Sequence, residues 1–189
     1  MMHPTISPRT CSLHMSLIND MRLAWSQHVY WTRMLLLSIA ERLPDETEVT
    51  SRLLENPYDI GDIFGRYYGL DAAKQIAALL TEHLQIGAKL ITALRDKETD
   101  TANELTKQWY DNAGRMAKAF SALNLNYHYE ALLKMLNTHL KLTTKEVQMR
   151  LEKHYAADIA AFDQVEKEAL MMADYFSEGL MRSFPRAFV

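Results

Sequence analysis

Three histidines and an aspartate stand where apolar residues belong. In "AWSQHVYWTRMLLLSIAERL", His28 falls on one helical stripe with Leu17, Met21, Ala24, Trp31, Leu35 and Ser38. His83 interrupts a stripe of Ile76, Leu80, Gly87, Leu90 and Leu94, and Asn112 one of Leu105, Trp109, Met116 and Leu123. His154 and Asp158 share a stripe with Val147, Leu151, Val165, Ala169, Met172 and Phe176. Neutral imidazole nitrogens and a carboxylate in a dry interior are the ligand set for zinc, iron or manganese in bundle cores. His154 and Asp158, at i and i+4, project from one helical face and can reach a single ion together.

The elements that carry these residues follow from hydrophobic periodicity. The spacing predicts a first helix over residues 16–43, ended by Pro44. Asp45 with Glu48 has capping-box spacing for a short helix through Leu54, and Asn56 followed by Pro57 starts a second short segment punctuated by Gly61, Gly65 and Gly69. Asp71 is the expected cap of a long helix to Leu94, followed by another over 100–123 and a short one to about Leu140. In "LTTKEV", Thr143 and Glu146 have capping-box spacing, with Leu142 stapling onto Val147, so a last helix is expected over 143–181. The result is an all-α, antiparallel four-helix bundle with two short helical inserts, occupying residues 16–189 as one domain behind a flexible arm of residues 1–15.

In this frame His28, His83 and Asn112 each lie about 12 residues, roughly 18 Å, into a long helix, and Asp158 about 14 residues, roughly 21 Å. A residue near mid-helix stays near mid-bundle whichever way the helix runs. His28, His83, His154 and Asp158 are therefore the expected ligands of a divalent metal, or the contacts of a small polar ligand, with Asn112 beside them. His139 and Asp59 are secondary candidates. His139, placed before the Thr143 cap, belongs near a bundle end as a helix C-terminal cation or as a ligand carried in by the short helix. Asp59 caps a short helix or lines the bundle mouth.

A second reading stands beside the first. A seam histidine is commonly a hydrogen-bonded core residue and a seam asparagine commonly sets register, which would make this a non-enzymatic interaction or structural protein. Its apolar tail, Phe184, Pro185 and Phe188, would then mediate homo-oligomerisation. The chain has no Glu-x-x-His pair for a di-iron bundle, no His-Glu-x-x-His and no Gly-x-Ser-x-Gly. "FGRYYG" lacks the lysine and preceding strand of a phosphate loop. Either reading needs buried neutral histidines, so acidification through the histidine range is expected to destabilise the fold.

Composition narrows the setting. With 48% apolar residues in 189, the chain can bury a sizeable single core. Its 21 basic and 24 acidic residues are interspersed, giving a formal charge of -3 and no polyanion-binding stripe, so nucleic acid is not an expected partner. One cysteine, Cys11, excludes an intramolecular disulfide and a thiolate zinc site, which suits a reducing cytoplasm. The longest apolar run, "MLLLSIA", falls short of the ~20 residues that span a bilayer, and no signal-peptide h-region precedes it.

The segments "HVYWTR", "RLLENPYDIGDIFGRYYG", "EHLQIGAKL", "WYDNA", "THLKLTTKEV" and "ALMMAD" together resemble a family of small uncharacterised bacterial proteins, over residues 21–188. The resemblance implies a helical bundle and no particular reaction. Some members carry the name acetylglutamate kinase. That activity would need an α/β sandwich with glycine-rich phosphate loops, which this sequence lacks.

Overall fold

The computed structural model describes residues 8–189, all but a few of them helical. In chain order the helices are α1 (Pro8–Glu41), α2 (Glu46–Leu53), α3 (Asn56–Tyr68), α4 (Leu70–Arg95), α5 (Thr99–Leu123), α6 (Tyr129–Leu151) and α7 (Tyr155–Ser183), followed by a 3-10 turn at Pro185–Phe188. Five helices, not four, exceed twenty residues, and no strand occurs among the described residues. They form a closed ring in which α1 touches α4, α4 touches α5, α5 touches α6, α6 touches α7 and α7 returns to α1. α2 covers α1, and α3 lies against α1 and α4.

Direction follows from the pairs that meet. Arg22 bonds Asp174 and Arg33 bonds Asp158, so α1 and α7 run antiparallel. His28 lies against His83 and Arg42 bonds Asp96, so α1 and α4 run parallel, with α2 and α3 returning the chain between them. The polar level sits between two apolar clusters. One is built on Trp25, Phe64, Phe120, Tyr127 and Phe176, the other on Leu35, Leu36, Ile39, Leu84 and Ile91.

The extra long helix comes from α6, which runs straight through the expected cap at Thr143. Nothing between Tyr129 and Leu151 is a glycine or proline, and Thr143 and Glu146 are buried on the inner face of the helix rather than at its start. The true stop is Lys153, in the left-handed region at φ 63°. Arg42 (φ 52°) and Lys97 (φ 59°) end α1 and α4 in the same way. At each stop the next residue's N–H reaches back to a carbonyl five residues earlier, Leu43 to Ser38, Glu98 to Ala93 and His154 to Met149, each at 2.9 Å. These are Schellman closures, which ordinarily use glycine; here a basic residue takes the αL position and sets its charge at the negative helix end.

Glycine is used for packing instead. Gly61 lies inside α3, where a Cβ would come 2.7 Å from the Ala73 carbonyl oxygen, so α3 continues through Gly61 and Gly65 and turns only at Gly69. Other expected caps also serve differently. Asp45 accepts from the Ser38 hydroxyl at 2.8 Å rather than capping α2, and α4 begins at Leu70, ahead of Asp71.

The expected N-terminal arm is shortened, because residues 8–15 already belong to α1; residues 1–7 lie outside the described residues. Cys11 is exposed on that helix. The aromatic tail is consumed within the chain. Phe188 is buried against His14 and Tyr67, and the half-buried Phe184 packs on Tyr67 and Tyr68, so both rings take part in the chain's own packing. No helix among the described residues is long and apolar enough to cross a membrane.

Candidate metal centre

α1, α4 and α6 each present a histidine from near mid-helix to a common point. His28, His83 and His139 are 2%, 3% and 4% exposed, and their ring centroids lie 6.2 Å (28 to 83), 5.9 Å (28 to 139) and 6.3 Å (83 to 139) apart. One ring nitrogen from each lies within 4.8 Å of the other two.

A partner behind each ring decides which nitrogen that is. Asn56 donates its amide to the Ala24 carbonyl at 2.8 Å, so its Oδ1 is the atom 3.1 Å from His28 Nδ1 and must accept from it. Asn112 donates to the Leu79 carbonyl and to Glu82, both at 3.2 Å, which leaves its Oδ1 to accept from His83 Nδ1 at 3.2 Å. Behind His139 stands the buried Glu168 of α7, its Oε2 3.3 Å from Nδ1; the distance suits an ion pair, but the alignment falls short of a hydrogen bond. With Nδ1 protonated and bonded to an asparagine, His28 and His83 keep Nε2 as the bare nitrogen, whereas Nδ1 of His139 makes no hydrogen bond. Such outer partners fix tautomer and ring orientation in metal-binding histidines.

The donor set fits a divalent transition ion. Nitrogens bound at ~2.0–2.1 Å around a tetrahedral ion lie about 3.4 Å apart, so the rings need to close by on the order of 1 Å. Three nitrogen donors would leave a tetrahedral ion one open position, and the three rings line a cavity of about 30 Å³. Leu35, Leu53, Leu84, Ile91 and Val147 wall that cavity, together with Trp109, whose indole N–H donates to the His83 carbonyl at 3.0 Å. Gly87, one turn beyond His83, gives the indole room, since a Cβ there would come 3.3 Å from the Trp109 ring.

Of the residues expected at the site, His28 and His83 meet and Asn112 supports one of them. His139 is not near a bundle end: with α6 extended to Leu151 it becomes the third member of the trio. His154 and Asp158 are not at this level. His154 precedes the first residue of α7, its side chain 64% exposed beside Glu152. Asp158 is buried in the first turn of α7, where it accepts from Arg33 at 2.8 and 3.1 Å and lies 3.6 Å from Arg150. Once α7 starts at Tyr155, both fall at its end rather than its middle. Asp59 is exposed on α3, in a surface hollow with Asp20, Asp62 and Arg66.

Two members of the site escaped sequence reading. Asn56 looks like a helix cap from its place before Pro57, but it is fully buried and aimed at α1. Glu168 lies on the same helical stripe as Val165 and Met172, the position at which a buried carboxylate would have drawn notice.

Burial sets the electrostatics. It lowers His28 to about 3, with repulsion from His139 adding to the effect and the Asn56 hydrogen bond opposing it. His83 is likewise held well below the ordinary histidine range, by burial first and then by His28 and His139. Both are neutral in the folded protein and titrate near 6.5 when unfolded. Their contribution is therefore fully present above pH ~6.5 and is lost as pH falls from there towards the folded value. The slope is up to about 1.4 kcal/mol per pH unit for each histidine. Urea midpoints of metal-free protein are expected to drop between pH 7 and 5, and His28→Gln with His83→Gln to flatten that dependence.

Fold and site together define an all-α protein with a buried trihistidine cluster. No family model matches the chain, and neither the curated proteins nor the solved structures compared with it yield a match.

Proposed function

We propose that this protein binds one divalent transition metal through Nε2 of His28, His83 and His139, and that the open position makes it a centre for a small molecule. One observation carries the reading: one ring nitrogen from each of three buried imidazoles lies within 4.8 Å of the other two, and two of the rings are held from behind by an asparagine. All-nitrogen ligation suits zinc or ferrous iron better than manganese, which favours carboxylates. A bound ion would supply Lewis acidity and acidify a water at the open position. The chain's part is to orient the rings and to keep the cavity dry. The reading requires no nucleic acid or membrane, suits a reducing cytoplasm in which Cys11 stays a thiol, and is compatible with the bacterial family that the sequence resembles.

The test is elemental analysis of tag-free protein after reconstitution with zinc, ferrous iron and manganese. One equivalent of zinc or iron per chain is expected, absent from a His28→Ala, His83→Ala double variant. No retained metal, or equal retention by the variant, overturns the reading.

A further inference from the structure

A divalent ion on three neutral imidazoles brings two positive charges into the bundle core, and only one buried negative charge stands ready for them. Glu168 lies 3.3 Å behind His139. The other nearby carboxylates are already matched: Glu146 and Asp158 by Arg33 and Arg150, and Glu82 by Arg115. An uncompensated charge in a low-dielectric interior is expensive, so the open position favours a ligand that carries the missing negative charge.

A donor for that ligand is present. Thr32, Thr50, Thr92, Thr106, Thr138 and Thr144 each donate their hydroxyl to the carbonyl four residues back, at 2.7 to 3.1 Å. Thr143 does not bond the His139 carbonyl. It is 3% exposed, its hydroxyl has no partner, and it lines the cavity one turn beyond His139. Thr81 also lacks a partner but does not line the cavity.

Size and access agree. A cavity of about 30 Å³ holds a ligand of a few heavy atoms, given that a water needs roughly 10–15 Å³ on such a scale. A surface hollow between α1, α2 and α4 shares Leu35, Leu53, Leu84 and Ala88 with it, so a wall of side chains separates the two. Among the described residues, Lys89 is the only charged one lining that hollow, and its sign attracts anions.

Resting on the trihistidine reading, we propose that the open position is a site for a small monoanion of two or three heavy atoms, held by the ion and by the Thr143 hydroxyl, and reached past Leu53 and Leu84. The test uses full-length protein loaded with cobalt(II), whose visible spectrum reports coordination. Azide and formate are each expected to shift that spectrum saturably at one anion per cobalt, whereas acetonitrile, neutral and of similar size, is not. Thr143→Val keeps the side-chain shape and should retain cobalt while weakening both anions about tenfold or more, and Thr143→Ser should restore them. Cobalt bound at one equivalent with no response to either anion overturns this inference and leaves the trihistidine site standing, as does equal anion affinity in Thr143→Val. Failure of cobalt to bind removes both.

Discussion

His139→Ala is expected to abolish metal loading, while His154→Ala leaves it at one ion per chain. In the proposed centre His139 would be one of three protein ligands, and its imidazole is backed by Glu168 at 3.3 Å, an outer carboxylate of the kind that raises ligand basicity. Loss of an outer partner alone typically costs ~10–100-fold in metal affinity, so loss of the ligand itself should exceed about 100-fold. His154 is 64% exposed before α7 and can reach neither His28 nor His83. Competition against a chromophoric chelator measures both variants. The reverse outcome, with loading lost in His154→Ala and kept in His139→Ala, would replace this centre with one built on His28, His83, His154 and Asp158.

The second large effect concerns stability. Asp158→Ala is expected to cost about 1–3 kcal/mol, because it removes two charge-assisted hydrogen bonds from the part-buried Arg33 guanidinium, which keeps Glu146 as its remaining partner. Arg33 reaches from α1 to Asp158 of α7 with two hydrogen bonds and to Glu146 of α6 at 2.5 Å, its cation resting 4.8 Å over the Phe162 ring. Three helices of the ring are tied at this point. Arg150, bonded to Glu41 at 2.9 Å, closes the network towards solvent. Replacing Arg33, Glu146 and Asp158 together by apolar residues of similar volume should cost no more than Asp158→Ala, since the cation leaves with both of its carboxylates. Urea denaturation compares the two. Asp158→Asn, the milder change, should retain a full equivalent of zinc; its loss there would restore Asp158 as a ligand.

Much of the site is visible along the chain. His28, His83 and Asn112 stand on apolar stripes near the middle of long helices, and mid-helix residues share a level whatever the direction of each helix. That inference holds because helical rise is uniform, and the structure brings these three residues to one place. The third histidine was obscured by a local pattern. Thr143 and Glu146 have the spacing of a capping box, but spacing does not show whether those side chains face solvent or neighbouring helices. Buried, Thr143 lines a cavity and Glu146 meets Arg33, so α6 continues and carries His139 to mid-bundle. The helix ends were hidden for a related reason. Arg42, Lys97 and Lys153 adopt a left-handed conformation that glycine would have announced, and a backbone hydrogen bond from the next residue closes each end.

The sequence by itself determined an all-helical chain and two of the three metal candidates, because periodicity and the absence of strand and turn signals act over a single helical turn. Only the tertiary structure decided that five long helices close into a ring, that His139 rather than His154 completes the cluster, and that Asp158 serves a salt bridge. Asn56 and Glu168 behind the histidines belong to the same group. Each of these depends on residues far apart in the chain facing one another across the core. Their pairing is set by how the helices pack, which no local spacing encodes.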